Sequence, residues 1–464
     1  MARTKVVALL LGPSGVGLSS VYTSIIWVAS TLSGMGVSNS GVRQIAEAVA
    51  SQEPRRVARI VTTLRRSTWI LGSAAAVVMA ILCYPICRIT FASGEHKFAV
   101  ALLSLAVLFG TVANGWSAVL QGLRKIGDLA RANILGGMIG SFLGILLIWF
   151  FRANGIVPML VVTSAASYAV TRWIARKTPI HQADISWRES YHESQALLGL
   201  GIAFMASGLM NALLAYLTRT MVLRMLGLEG AGHYAAAYTI SAIYAGFILQ
   251  AMGADFFPRL TEVAKDNSQC NRMVNEQAEI SLLLAMPGLL ATLALAPWVI
   301  RVFYAGNFEP AIAILRWQAL GVLCRVSSWP MGFILLAKGD RKSFLLTEVF
   351  MNFGHVIFLL IGIGLWGLTG TGIAFLAGNF TYWLIIFFVV RRISGFRWSR
   401  VNLNLAAWML PLVVATFAAS IFLAPFVAQL VGSLIALACG YACLRILIRK
   451  VPDNRIARVF SWIT

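Results

Sequence analysis

The sequence predicts an all-α polytopic membrane protein, and three observations carry that prediction. Of its 464 residues 59% are hydrophobic and only 12% charged, too little polar surface for a chain of this length to face water. The apolar residues come in runs of about 20, the length at which a helix rising 1.5 Å per residue crosses the hydrocarbon core of a bilayer. The Lys and Arg residues fall mostly into alternate gaps between those runs, the signature of membrane topology. A net charge of +21 would otherwise suggest a nucleic-acid partner. Here it is spread over short loops with no basic, aromatic-interleaved domain, and it suits anionic lipid head groups instead.

Taken in order, the opening MARTKVVALLLGPSGVGL holds an apolar run too short to span before Gly12-Pro13. A full span follows at about 16–37 and then a basic loop from Gly41 to Arg66. Further spans are expected at about 67–91, 98–121, 133–151 and 154–175. After a polar segment at 176–195 come 197–225, 233–257, 280–304, 311–337, 343–366, 369–390, 405–425 and 427–448. Alternate loops, with the tail after Leu444, hold 28 of the 38 Lys and Arg, and the opposite side holds four (Arg88, Lys97, Arg152, Arg301). The basic loops are therefore cytoplasmic. That parity requires a helix before the span at residue 16, so the first helix is expected to be incomplete.

An internal repeat leads to the same plan. Leu11-Gly12-x-x-Gly15-x-Gly17 recurs 215 residues on as Leu226-Gly227-x-x-Gly230-x-Gly232, and Glu47 falls on Glu262. Gly127-Asp128 recurs as Gly339-Asp340 at an offset of 212. The expected architecture is two pseudo-symmetric six-helix halves, 1–177 and 196–392, plus two additional C-terminal helices at 405–448, about 14 in total. Paired halves of this kind are a common transporter plan.

No enzyme constellation stands out. Gly12-Pro13-Ser14-Gly15 lacks the Gly-Lys-Ser/Thr ending of a P-loop. The five histidines show no metal-ligand spacing, and His355 reads as a packing residue. Cys83/Cys87 and Cys439/Cys443 are i,i+4 pairs inside apolar helices and read as small packing residues. No cofactor and no metal are expected, and no nucleotide-binding domain would drive transport.

Charges inside spans are the informative set. Arg325 lies near the middle of 311–337. A guanidinium there costs about 2.5–3.5 kcal/mol and cannot be deprotonated, so it calls for a wet cavity, an acid or an anionic ligand. Arg219 lies in the outer half of its span, and in the repeat it falls on Thr4, which puts Arg3 at matching depth. Arg224 and Arg316 read either as snorkelling to the interface or as part of the same set. Several cations around a cavity would attract an anion, and the planar Arg fork suits phosphate oxygens. We take Arg325, Arg219, Arg224, Arg316, Arg3 and Asn211 as candidate substrate-binding residues. Asn352 and Asn379 either line the cavity or bond between helices. Asp255 and Glu348, near cytoplasmic helix ends, read as partners of Arg259 and Lys342 or as groups that couple H+ or Na+.

LLGPSGVGL with GMGVSNSGVRQIAEA, GHYAAAYTISAIYAGFILQAMGADFFPRLTE, and WQALGVLCRVSSWPMGFILLAKGDRKSFLLTE resemble the O-antigen and polysaccharide flippases (Wzx type). That family shares a superfamily with multidrug and toxic compound extrusion transporters and the lipid II flippase. The resemblance runs to about Arg392. It implies an inner-membrane flippase, not an enzyme, that moves an undecaprenyl-pyrophosphate-linked O-antigen or other surface-polysaccharide unit by alternating access. Arg325 and Arg219 match basic positions in the family's tenth and seventh helices. The implied partners are the lipid-linked oligosaccharide, membrane lipids, a polysaccharide polymerase and a chain-length regulator. The rival readings are a lipid II flippase, a multidrug exporter, and a membrane polymerase or ligase. The exporter usually needs cavity acids, whereas the buried charge here is positive. The enzyme would carry a large outward loop, and none here exceeds about ten residues on these boundaries.

Overall fold

Residues of positive φ, glycines and a few others, mark where many of the helices of this chain break. The computed structural model describes residues 2–177 and 186–450. Side chains at 188, 190–192, 196, 198–200, 202–204, 207, 247–248, 250–255, 341 and 450 lie outside the description. Among the described residues the chain is helical and without strands. The order is α1 (Ala2–Gly34), α2 (Val37–Ala50), α3 (Pro54–Ile81), α4 (Cys83–Phe91), α5 (Lys97–Gly122), α6 (Ile126–Phe151), a 3-10 turn (Arg152–Gly155) and α7 (Ile156–Arg176). Then come α8 (Trp187–Glu262), α9 (Asn267–Phe303), a second 3-10 turn (Gly306–Phe308), α10 (Pro310–Ala337), α11 (Arg341–Ser394), α12 (Arg400–Phe422) and α13 (Pro425–Lys450). Among the described residues 8 stretches are long and apolar enough to cross a membrane, or 9 if α3 and α4, bent by 65° at Leu82, form one span.

Two of those stretches, Ile126–Arg176 and Lys342–Ser394, run to 51 and 53 residues. At 1.5 Å per residue each would reach about 75–80 Å, more than twice the ~30 Å hydrocarbon core. Each turns back on itself instead. In α11 the backbone leaves the helix at Gly367 (φ 55, ψ −130), and a Cβ on Gly362 would lie 2.5 Å from the Gly370 carbonyl oxygen. Between α6 and α7 the same turn is made at Arg152 (φ 50, ψ −128), where a Cβ on Gly155 would lie 2.5 Å from the Leu147 carbonyl oxygen. These are two helical hairpins, and their turn residues are 215 apart.

That spacing recurs. α1 breaks at Gly12 (φ 65, ψ −163) and α8 at Gly227 (φ 72, ψ −177). α5 ends with Arg124 at φ 56 and α10 with Gly339 at φ 71, each donating its N–H to a carbonyl three residues back, while the next N–H reaches five back. The backbone therefore corrects one alignment made from sequence. The counterpart of Gly339-Asp340 is Arg124-Lys125, at 215, rather than Gly127-Asp128 at 212. The Gly-Asp letters coincide, but the left-handed cap that corresponds to Gly339 sits three residues before Gly127, at Arg124.

The stretch 41–66, expected as a basic loop, is also corrected: it is α2 and the start of α3. α2 is amphipathic. Val37, Ile45 and Ala48 bury against Ile60, Val61 and Leu64 of α3 and Ala118 and Val119 of α5. Arg43 meanwhile pairs with Glu47 at 2.8 Å on the wet face, the i,i+4 spacing at which helical neighbours meet.

By packing the chain divides into two compact units, Met1–Gly232 and His233–Thr464. In the first, α1 crosses the middle of α8 at a pair of repeat-related glycines. A Cβ on Gly17 would overlap the Leu228 carbonyl oxygen and lie 2.9 Å from the Gly232 nitrogen, and one on Gly232 would overlap the Pro13 carbonyl oxygen. In the second, Leu282, Met286 and Leu290 of α9 pack with Met409 and Val413 of α12 and with Ala436, Cys439 and Cys443 of α13. Asp340 starts α11 by accepting the Ser343 N–H at 3.1 Å. The Ser343 hydrogen bonds hold this carboxyl below its usual range.

Two predictions follow from the breaks. Gly17→Val, which drives a branched side chain into backbone, lowers stability by about 1–3 kcal/mol. Gly137→Ala, with open space around its Cβ position, does not; thermal melting of the detergent-solubilised chain compares the two. Arg152→Gly raises the melting temperature and Gly367→Arg lowers it, because a side chain in this backbone region costs about 1–3 kcal/mol.

Candidate functional site

In the second unit the mid-span cation has company that helix order alone does not reveal. Arg325 of α10 is half-buried. It interacts electrostatically with Glu348 and His355 on the first arm of the α11 hairpin and with Tyr382 on the returning arm. Glu348 and His355, seven residues apart, share a helix face, as do Phe375, Asn379 and Tyr382. The hairpin turn at Gly367 brings those two faces together. His355 closes against Gly378, where a Cβ would lie 3.3 Å from Nδ1, and its ring meets that of Phe375 edge-on at 6.4 Å. The Tyr382 hydroxyl lies 3.3 Å from the Cβ position of Gly332 on α10. Among the described residues the Arg325 guanidinium has no hydrogen-bonding partner. The Asn379 side chain donates to the Phe375 carbonyl at 2.8 Å and leaves its buried Oδ1 unpartnered. Asn352 donates to the Glu348 carbonyl at 2.7 Å, a bond within its own helix. Glu348 thus faces Arg325 rather than the Lys342 suggested by sequence proximity. Arg316 sits elsewhere on α10 and donates from Nη1 to the Ser420 carbonyl at 3.1 Å, which ties α10 to α12. Asp255 lies outside the described side chains.

In the first unit the remaining cations are engaged one by one. Arg3, half-buried, donates from Nη1 to Thr163 Oγ1 of α7 at 2.9 Å. Arg219 donates from Nε to Ser20 Oγ of α1 at 2.9 Å and from Nη1 to the Ala215 carbonyl at 3.1 Å. Arg224 is exposed, and its Nη2 donates to the Arg88 carbonyl at 2.7 Å, capping the last turn of α4. Asn211 is exposed. These side chains are not gathered at one point of the unit. A cavity of about 370 Å³ opens among α1, α2, α5 and α8, walled by Trp27, Ser30, Asn39, Asn114, Ser117 and Gln121 among others. The sequence reading missed these residues, as it missed Tyr382. Their signal was the helical spacing of uncharged polar residues, Asn114, Ser117 and Gln121 on one face and Trp27, Ser30, Thr31 and Gly34 on another, inside spans that are otherwise apolar. The second unit holds an apolar cavity of about 280 Å³ lined by Leu282, Met286, Phe380, Trp383, Trp398 and Met409 with others.

Residues 6–313 match the family described as "Polysaccharide biosynthesis protein", which covers well over half of the chain. The chain belongs to this family. Among its curated relatives is the lipid III flippase of Escherichia coli (strain K12), 23% identical over 412 residues, 84% of this chain and 94% of that protein. The lipopolysaccharide biosynthesis protein WzxC of the same organism is 22% identical over 438 residues, 91% of this chain and 84% of that protein. The putative O-antigen transporter of Shigella flexneri is 22% identical over 304 residues, 64% of this chain and 71% of that protein. Among solved structures the fold is similar to that of the lipid II flippase MurJ in an inward closed conformation, with TM-score 0.73, 14% identity, and 97% and 96% of the two chains covered. It is also similar to an inward-facing MATE family transporter of the MOP superfamily, with TM-score 0.72, 16% identity, and 85% and 93% covered. Family membership and the apolar spans make this polysaccharide biosynthesis protein a multi-pass integral protein of the bacterial inner membrane.

The Arg325 cluster makes a direct prediction about stability. Glu348→Gln leaves the guanidinium without its carboxylate and lowers the melting temperature. Arg325→Gln with Glu348→Gln recovers part of that loss, so a double-mutant cycle gives a coupling of about 1 kcal/mol or more. Additive effects would mean that the two side chains do not interact.

Proposed function

We propose that this protein is a flippase, not an enzyme, that carries undecaprenyl-pyrophosphate-linked O-antigen or other surface-polysaccharide units from the inner to the outer leaflet of the inner membrane. The observation that carries the reading is Arg325, a permanent cation at mid-span that has, among the described residues, a free donor fork and one acid in its field. Its family and the names of its relatives, which include a lipid III flippase and a putative O-antigen transporter, support the same reading. A pyrophosphate offers the oxygens that a guanidinium fork binds in pairs. The saccharide needs water or hydrogen bonds throughout its passage, since an unpaired polar group in hydrocarbon costs several kcal/mol. The polyprenyl tail can stay in lipid. A multidrug exporter of cations is disfavoured because the uncompensated charge in the span is positive.

Glu348 and His355 are the groups best placed to couple an ion to this movement. They lie in the field of Arg325, so protonation of the carboxylate would leave the guanidinium charge unopposed and favour a phosphate, and its deprotonation would weaken that pull. A proton or sodium gradient acting there, with Asp255 as a second candidate, is part of the proposal. So is delivery of the product to a polysaccharide polymerase and its chain-length regulator on the outer face.

The test is made in a strain lacking the gene. The wild-type copy restores long-chain surface polysaccharide and clears single lipid-linked units from the inner leaflet. Arg325→Gln at matched protein level leaves about 10- to 100-fold less surface polysaccharide, the loss of one or two charge-assisted hydrogen bonds. Normal polysaccharide in the Arg325→Gln strain would sink the assignment of this residue. Single units that reach the periplasm unpolymerised in the deletion strain would sink the flippase reading itself.

A further inference from the structure

The polar cavity of the first unit is built differently from the cationic site of the second. It is walled by Ser30 and Thr31 on α1, Asn39 on α2, and Asn114, Ser117 and Gln121 on α5, with Trp27 at its edge. Among the described residues none that lines it is titratable. Asn39, Asn114 and Gln121 are exposed, and among the described residues their amides have no protein partner. Trp27 leaves 45% of its surface open. A carboxamide offers two donors and one acceptor, so the three present a set of open donors and acceptors to whatever fills the cavity, water or a ligand.

The repeat supplies an internal control. In the shared backbone register of 215 residues, Ser30 corresponds to Ala245, Asn114 to Trp329, Ser117 to Gly332 and Gln121 to Leu336. The same helix faces in the second unit are built without a single amide, so the fold does not require polarity there. Trp27 corresponds to Ala242, so the second unit has no ring at that position.

We propose that this cavity is a binding site for a neutral saccharide, its amides and hydroxyls matched to sugar hydroxyl or acetamido groups and the Trp27 face stacked on the apolar face of a sugar ring. The proposal rests on the flippase reading and deepens it by naming the sugar chemistry. At about 370 Å³ the cavity falls at the lower end of ligand pockets of about 300–1,000 Å³, room for a short saccharide. An acidic sugar would bring a carboxylate to a wall with no cation to meet it. The preferred unit therefore begins with uncharged sugars, and its negative charge is confined to the pyrophosphate.

The experiment uses the full chain in lipid nanodiscs and measures binding of four probes. They are polyprenyl pyrophosphate without sugar, the same lipid carrying an N-acetylglucosamine disaccharide, the same lipid carrying a glucuronic acid disaccharide, and the free N-acetylglucosamine disaccharide. Asn114→Leu with Gln121→Leu is expected to weaken the neutral sugar lipid about tenfold, the worth of two or three neutral hydrogen bonds. Binding of the sugar-free lipid stays unchanged and reports an intact fold. Gln121→Lys is expected to raise affinity for the glucuronic acid lipid, a gain that misfolding cannot mimic. No selective loss in the first variant together with no gain in the second overturns the cavity assignment and leaves the flippase reading standing. Equal binding of neutral and acidic sugar lipids by the wild type overturns the neutral preference. Equal affinity for free and lipid-linked disaccharide overturns the lipid-linked source. A wild-type chain that binds neither pyrophosphate lipid overturns the function on which the inference rests.

Discussion

A backbone carbonyl or amide left bare in hydrocarbon costs several kcal/mol, so a chain in a bilayer can interrupt a helix only where the interruption is buried or wet. The rest of this structure depends on that constraint. At Gly367 and Arg152 the two hairpins turn within a single residue and then press backbone on backbone, Gly362 on Gly370 and Leu147 on Gly155. The turn thus leaves little polar backbone open beside it. At Gly12 and Gly227 the break is equally short, and Gly17 and Gly232 let α1 and α8 approach to carbonyl contact just beyond it. Close approach without a Cβ is the packing that membranes favour, since lipid tails offer helices no hydrophobic reason to associate.

The hairpin in α11 converts this constraint into chemistry. A straight 53-residue helix would place Glu348 and Tyr382 on the order of 50 Å apart. Folded at Gly367, it sets both within electrostatic reach of Arg325 on α10. Among the described residues the acid shares the cation's field without an ion pair or hydrogen bond to it, so the fork stays available to a ligand. Where a cation donates to a neighbouring helix, as with Arg224 on the end of α4 or Arg316 on α12, one arm of its fork is spent on securing helices.

Much of this was legible because hydrophobic runs and the alternation of basic loops report topology directly. The spans at 98–121, 311–337 and 427–448 lie close to α5, α10 and α13. α2 was hidden for a physical reason. Its polar face carries Arg43 and Glu47 at the wet edge, so its composition reads as loop while its buried Ile45 and Ala48 make it helix. The repeat was legible at Gly12 and Gly227, where glycine marks a positive φ. It was misplaced at Gly339, because its partner Arg124 adopts the same left-handed cap without the residue that advertises it. At the site, Arg325 announced itself through the cost of burying a charge. Tyr382, Asn114 and Gln121 carry no charge and cost less to bury, and only the folded chain shows which of them share a wall.

The two units then illustrate how a duplicated fold can divide labour without changing its backbone. The caps at Arg124 and Gly339 and the turns at Arg152 and Gly367 keep the helices in one register, while side chains at several equivalent positions differ in kind. Asn114 and Gln121 stand where the other unit has Trp329 and Leu336, and Gly110 stands where it has Arg325. The proposed substrate, part sugar, part pyrophosphate and part hydrocarbon, has no single favourable environment. A cavity that was cationic throughout would hold the phosphate so tightly that release would become slow, and one that was polar and neutral throughout would give the phosphate no countercharge. On the proposed reading, amides in one unit and a guanidinium in the other avoid both extremes, because each part of the substrate meets only the chemistry that suits it.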